Sequence, residues 1–109
     1  MLILHTREGH RPQDVCIWSR KQRHANNCIG KEGSFGRILT RGSVGHDIIT
    51  ELYPKEGENG GEVVIDKPGK GAFYSTDLEL ILRSNNIETI LVCGVTTEVC
   101  VHTTVREGT

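Results

Sequence analysis

The order of apolar runs and turns predicts an α/β protein, with helices packed on the faces of a parallel sheet. Three observations carry that prediction. Short apolar runs at Met1–His5, Val63–Ile65 and Glu88–Cys93 have the length of strands. The segment that starts at Thr76 has the dense apolar face of a helix. The two kinds of segment alternate as strand, helix, strand, helix, and in such sheets ligands sit beyond the carboxyl ends of the strands.

Each element has a local reason. Met1–His5 is an apolar run that ends in the polar, charged turn Thr6–Pro12, as expected of a buried strand opening into a loop. From Gln13 to about Gly45 the chain is polar and basic with no sustained period, and Asn26–Asn27, Gly30–Gly33 and Gly36 are loop signals. Such a segment reads either as a loop covering a substrate site or as a poorly ordered excursion. His46–Leu52 suggests a short helical turn before Pro54, Lys55–Gly61 a turn, and Val63–Ile65 a strand. Thr76 and Glu79 have the spacing of a capping box, and Leu78, Leu80, Ile81 and Leu82 supply the apolar face behind it. Asn85–Asn86 ends that helix, and Glu88–Cys93 reads as a strand buried on both faces. Gly94 ends the strand, and a second helix begins near Thr97 or Glu98.

Composition narrows the class. A chain of 109 residues is at most one domain, residues 1–109. With 36 % hydrophobic and 25 % charged residues it reads as soluble and globular. Thirteen basic residues against fourteen acidic ones give a net charge of −1, which offers nothing to steer the chain onto nucleic acid or anionic lipid. No apolar stretch approaches the ~20 residues of a membrane helix, and the start has no basic segment ahead of its short apolar run, so no export signal is expected. That points to a cytoplasmic, reducing setting, in which Cys16, Cys28, Cys93 and Cys100 are thiols. Cys16, His24 and Cys28 share one polar region, but their spacing matches no common zinc pattern, and no metal or cofactor is expected.

Cys100 is the first candidate for chemistry. It lies just past a buried strand, inside the first turn of a helix, where free N–H groups and the helix dipole favour an anion and hence the thiolate. The same N–H groups suit the oxyanion formed when sulfur attacks a carbonyl. The bland alternative is a cysteine that fills the core. Cys93, inside the apolar run, is expected to be buried and inert. Lys67 follows the Val63–Ile65 strand at its cleft end, where an ammonium group can favour a neighbouring thiolate. Most lysines are simply solvated, and Lys70 is close enough in sequence that periodicity does not choose between the two.

Two segments then carry a resemblance. Ile65-Asp-Lys67-Pro-Gly-Lys-Gly-Ala72-Phe73-Tyr74-Ser-Thr76-Asp77-Leu78 resembles the lysine segment of the isochorismatase-like cysteine hydrolases, and Ile90-Leu-Val-Cys-Gly94-Val95-Thr96-Thr97-Glu98-Val99-Cys100-Val101 is similar to their nucleophile segment. His5-Thr6-Arg7-Glu8-Gly9-His10 resembles the turn after the family's second strand, and the set looks most like the biuret and ureidoacrylate branch.

The resemblance implies a three-layer, isochorismatase-like, Rossmann-like α/β/α fold with a mostly parallel sheet, and metal-free hydrolysis of an amide- or ureide-type C–N bond through an acyl-enzyme. In that reading Cys100 attacks, Lys67 stabilises the thiolate, and the backbone N–H groups of Thr96 and Cys100 hold the oxyanion beside a cis peptide at Val95–Thr96. His5, Arg7, His10, Phe73 and Tyr74 are the candidate pocket residues; His102 is expected to point away. The partner implied is a small amide or ureide, and the family implies a homo-oligomer. The family's third catalytic group, an aspartate on an earlier strand, has no counterpart in residues 1–109. The sequence therefore reads as a partial domain, without that first strand and the later C-terminal strands, in which catalysis is impaired. The alternative is a non-catalytic remnant that acts as an interaction module or pairs with a full-length relative. A nucleotide-binding half-sheet is disfavoured, since no G-x-G-x-x-G follows a strand.

Overall fold

Two parallel strands form the frame on which everything else is placed. The computed structural model describes residues 1–11, 29–55 and 61–109. Strand β1 (Leu4–Glu8) pairs in parallel with β4 (Val63–Lys67), in a register that sets Leu4 opposite Val63, Arg7 opposite Asp66 and Glu8 opposite Lys67. The first strand therefore runs about three residues further along the chain than the apolar run suggested. Two opposite-charge pairs directly across the ladder explain how a strand can continue through Arg7 and Glu8.

Because successive side chains alternate between faces, Leu4, Val63 and Ile65 point to one side and His5, Arg7, Val64 and Asp66 to the other. The first side is the core. Ile65, Ala72 and Leu78 are buried together, with Leu4, Val63, Phe73, Ile81 and Leu82 packed against them. Burial of each large aliphatic side chain stabilises the fold by roughly 1.5–3 kcal/mol.

Helix α1 (Leu78–Ser84) covers this face. It starts two residues after the expected Thr76, and only half of the capping box forms. The Thr76 hydroxyl accepts the Leu78 N–H at 3.3 Å and donates to the Ala72 carbonyl, while Glu79 pairs with Arg83 at 2.8 Å, one turn on. The i, i+4 ion pair competes for the carboxylate that would have reached back. Of the expected apolar face Leu78, Ile81 and Leu82 contribute, whereas Leu80 is exposed. Asn85–Asn86 does end the helix, with Asn86 in the left-handed region at φ 52°.

The polar middle is partly ordered into structure that periodicity did not reveal. Strands β2 (Glu32–Gly33) and β3 (Gly36–Arg37) form a small antiparallel ribbon, and 3-10 turns occupy Val44–His46 and Thr50–Leu52. Backbone bonds from His10 to the Leu39 carbonyl and from Arg41 to the His10 carbonyl tie this region to the end of β1. Asp14, Cys16, His24 and Cys28 lie outside the described residues, as does most of the expected Lys55–Gly61 turn.

The largest departure is at Glu88–Cys93. No strand forms there, Leu91 is 93 % exposed, and Cys93 is exposed rather than buried. The run has the composition of a central strand, but a strand exists only by bonding to a neighbour, and among the described residues β1 and β4 pair only with each other. Beyond it, Gly94 at φ 152° and Thr96 at φ 56° reverse the chain into a π-helical turn, Thr97–Val101, which continues as helix α2 (His102–Gly108). The expected cis bond at Val95–Thr96 is trans, and these two backbone conformations make the turn instead.

Candidate active site

Glu8 and Lys67, opposite each other at the carboxyl ends of β1 and β4, continue the core face of the ladder past its last apolar residues. A carboxylate and an ammonium group thereby enter a region that excludes water: the Lys67 side chain is 5 % exposed and that of Glu8 9 %. Lys67 Nζ donates to the carbonyls of Gly69 at 3.2 Å and Lys70 at 2.8 Å and lies 3.9 Å from Glu8 Oε2. Those carbonyls belong to the turn that follows β4, so the turn curls around its own lysine. Lys70 is half exposed and reaches Glu8 Oε1 from outside at 3.0 Å. Burial distinguishes the two lysines that the sequence left equivalent.

Cys100 arrives on the π-helical turn ahead of α2. Its thiol faces Glu8, donating to Oε2 at 3.8 Å. Cys100 and Lys67, expected to act together, thus meet at one oxygen of a third residue. His10 completes the group, with Nε2 3.4 Å from Glu8 Oε1. Thr104, buried one turn beyond Cys100, holds the arrangement: its hydroxyl donates to the Cys100 carbonyl at 2.8 Å and accepts the Ala72 N–H at 3.1 Å. A single side chain so joins α2 and the π-helical turn ahead of it, which carries the thiol, to the turn that follows Lys67. Further along, Glu107 accepts the Phe73 N–H at 3.1 Å.

Glu8 and Thr104 were not singled out from the sequence. The only signal for Glu8 was its place in the charged turn, and once β1 is extended to residue 8 the alternation rule assigns it to the Lys67 face.

The expected pocket residues divide between the two faces of the ladder. His10 is in the Cys100 group. His5 is not: it lies within β1 on the opposite face, with Nε2 2.6 Å from Glu62 Oε2, a contact that holds the Glu62 carboxyl below its ordinary range. Arg7 shares that opposite face, bonded through Nε to Asp66 at 2.6 Å and through Nη1 to Asp47 at 2.8 Å. The hydrogen bond from Arg7 lowers the Asp66 carboxyl, and Asp66 raises the guanidinium in return. Phe73 packs against the core and Tyr74 is 64 % exposed. His102 is exposed.

His46 is buried in this second cluster, its Nε2 3.0 Å from Asp66 Oδ1 in an orientation that makes no hydrogen bond. Burial lowers its basicity, and the nearby Arg7 charge does so further. Gly9 is required where it stands, since a Cβ there would lie 2.3 Å from His46 Nε2. A cavity of about 310 Å3 opens here, between Arg7, Arg41, His46, Asp47 and Asp66, and it includes neither Cys100 nor Lys67. Arg7 is paired with Asp47 and Asp66, and Arg41 Nε donates to the Gly9 carbonyl at 2.9 Å, so these contacts latch the 39–47 loop to the end of β1.

Among the described residues no group of three or more His, Cys, Asp or Glu side chains is arranged to hold a metal ion, and no helix is long and apolar enough to cross a membrane. The chemistry within reach is that of a thiol, a carboxylate and an ammonium group.

The model of the isochorismatase domain matches residues 1–109. Over 73 residues, 67 % of this chain and 28 % of the relative, it is 37 % identical to ureidoacrylate amidohydrolase RutB of Serratia proteamaculans. A cysteine hydrolase from Pseudomonas syringae pv. phaseolicola superposes with a TM-score of 0.75 at 30 % identity, over 98 % of this chain and 45 % of that one. An isochorismatase-like hydrolase from Alkaliphilus metalliredigens gives 0.73 at 29 % identity, over 98 % and 48 %. The chain spans less than a third of the curated relative and about half of each solved structure.

Proposed function

We propose that this chain, which belongs to the isochorismatase family, carries the nucleophile and lysine of a hydrolase that cleaves amide- or ureide-type C–N bonds through a thioester on Cys100. The single observation that carries the reading is the meeting of Cys100 and Lys67 at one oxygen of the nearly buried Glu8, at the carboxyl ends of two parallel strands. A thiol is a competent nucleophile for a carbonyl carbon once its proton is removed, and an ammonium group nearby stabilises the charge that develops. In this reading the backbone N–H groups of Thr96 and Cys100 hold the oxyanion, and His10 lies against the substrate. A thiol supplies the nucleophile directly, so the reaction proposed needs neither metal nor cofactor. A ureide substrate is favoured by the 37 % identity to the ureidoacrylate amidohydrolase. The setting proposed is cytoplasmic, and the assembly a homo-oligomer.

The aspartate that the resemblance places on an earlier strand has no counterpart in residues 1–109, and slow turnover by this chain alone is part of the proposal. Incubation with ureidoacrylate, biuret and simple N-carbamoyl compounds, followed by peptide mapping, tests it. An acyl adduct on Cys100 that disappears in Cys100→Ala is the expected result. Absence of both adduct and product across the panel rejects the hydrolase reading.

A second reading, a module that docks onto another chain, is favoured by one observation: Leu91 and Val95 are 93 % and 86 % exposed in a segment of strand-like composition. Sedimentation of the chain with and without a full-length relative separates the two. A stable complex without turnover supports docking.

A further inference from the structure

We infer that Thr104 is a positioning residue for the reaction: its hydroxyl sets the separation of the Cys100 thiol and the Lys67 ammonium group. The inference rests on the hydrolase reading and adds to it the group that keeps nucleophile and lysine in register. Neither of the two has its position fixed by regular structure alone. Cys100 sits on a π-helical turn entered through Thr96 at φ 56°, where the Val99 and Val101 N–H groups share the Thr96 carbonyl at 3.0 and 3.4 Å. Lys67 ends β4, but its Nζ is aimed by the carbonyls of Gly69 and Lys70, which belong to an irregular turn.

Thr104 spans the gap. From α2 it uses both capacities of a buried hydroxyl: the proton goes to the Cys100 carbonyl at 2.8 Å, and the oxygen accepts the Ala72 N–H at 3.1 Å. A threonine bonded only to the carbonyl four residues back is ordinary in a helix. The bond across to Ala72 is what this one adds. Ala72 is itself a fixed point, 2 % exposed in the core, with its carbonyl accepting the Thr76 hydroxyl ahead of α1. The residues between Lys67 and Ala72 include both carbonyls that aim Nζ, so a shift at Ala72 is passed to the ammonium group. Packing along this contact is close, since a Cβ at Gly71 would meet the Glu107 carboxylate, which accepts the Phe73 N–H at 3.1 Å. Among the described residues Thr104 is the one side chain hydrogen-bonded to the backbone of both segments. An ammonium group stabilises the charge on sulfur and on the attacked carbonyl only at short range, so this spacing bears on rate rather than on binding.

Thr104→Val keeps the shape and removes both bonds, whereas Thr104→Ser keeps the hydroxyl and loses a methyl group. On a panel compound that the unaltered chain turns over, Thr104→Val should lose about 10–10²-fold in kcat, the effect of a displacement on the order of 1 Å, with KM within about twofold. Thr104→Ser should stay within about threefold of the unaltered chain. Alkylation of Cys100 by iodoacetamide at pH 7 should slow by about threefold or more in Thr104→Val, since an ammonium group further from sulfur favours the thiolate less. Cys93 is exposed and also reacts, so the rate is followed on the Cys100 peptide by mass spectrometry, with circular dichroism to verify folding.

A kcat loss in folded Thr104→Val that Thr104→Ser restores supports the assignment. Full kcat in Thr104→Val, or an equal loss in both variants, overturns it, because a residue that only fills the core answers to volume and not to the hydroxyl. Hydrogen exchange of the unaltered chain needs no variant. The Ala72 amide should be among the slowly exchanging amides, and exchange as fast as that of exposed amides overturns the proposal even if Thr104→Val does not fold. If the unaltered chain hydrolyses nothing in the panel, the hydrolase reading fails by itself. The role of Thr104 is then judged on alkylation, and a Cys100 rate that is unchanged or faster in Thr104→Val removes it as well.

Discussion

The two faces of the β1–β4 ladder make opposite use of nearly the same materials. On one, Arg7 and Asp66 stand opposite each other, each bonded to the other, and Asp47 and His46 close around them. On the other, Glu8 and Lys67 stand opposite each other in the next register position, but at 3.9 Å, with a thiol inserted on the same oxygen. The first charge pair is closed on itself and anchors a loop, whereas the second shares one oxygen with a thiol, the arrangement that the proposed chemistry uses. One residue of register separates them, because a strand turns each successive side chain to the other face. A one-residue slip would exchange the two roles.

The largest expected effect is on the thiol face. Cys100→Ala should cost roughly 10⁴-fold or more in turnover, as loss of a covalent nucleophile does, with the melting temperature nearly unchanged. Lys67→Met keeps the volume of a side chain that is 5 % exposed and should cost about 10²–10³-fold in turnover. Either variant retaining full activity would dissolve the contrast between the faces.

On the latch face the effect should fall on stability. Asp66→Asn weakens the charged hydrogen bonds from Arg7, and an unfolding free energy lower by about 1.5–3 kcal/mol is expected in urea titration. The activity of the remaining folded protein should be unchanged, and a loss of kcat at full folding would place Asp66 in the site. Gly9→Ala drives a methyl group into His46 and should cost about 1–3 kcal/mol in the same titration.

The smallest effect is that of pH. Burial lowers His46 from its ordinary value near 6.5, so the unfolded chain takes up the proton first as the solution is acidified. Its contribution is complete above about pH 6.5 and is lost as pH falls through the lower value of the folded state. Asp66, held below its ordinary 3.8, adds a second loss of the same sign at lower pH, complete once its folded value is passed. The urea midpoint should therefore decline as pH falls below about 6.5 and again as it falls below about 3.8. His46→Gln should remove the first decline and leave the second.

Much of this site was legible in the sequence because it rests on local signals. A helix beginning just after a glycine-terminated apolar run placed Cys100, and a lysine at the end of Val63–Ile65 placed Lys67. The expected pocket residues divide between the two faces, and the reason is particular to β1. Its apolar run ends at His5, which suggested that residues 5 to 10 form a turn, but the cross-strand charge pairs extend the strand to Glu8 and send His5 and Arg7 to the far side. Glu8 was overlooked for the same reason: in a turn its direction is arbitrary, and in a strand it is fixed.

By itself the sequence determined the class of the fold, the place of the candidate thiol segment and the helix stop at Asn85–Asn86, since each follows from periodicity, glycine placement or backbone preference within a few residues. Tertiary structure alone decided which of two lysines is buried, which carboxylate meets the thiol, that Thr104 bridges two elements, and that Glu88–Cys93 stays unpaired and exposed. All four depend on what lies across a ladder or a helix contact from a residue distant in the chain. A strand-forming tendency becomes a strand only when a neighbour accepts its hydrogen bonds.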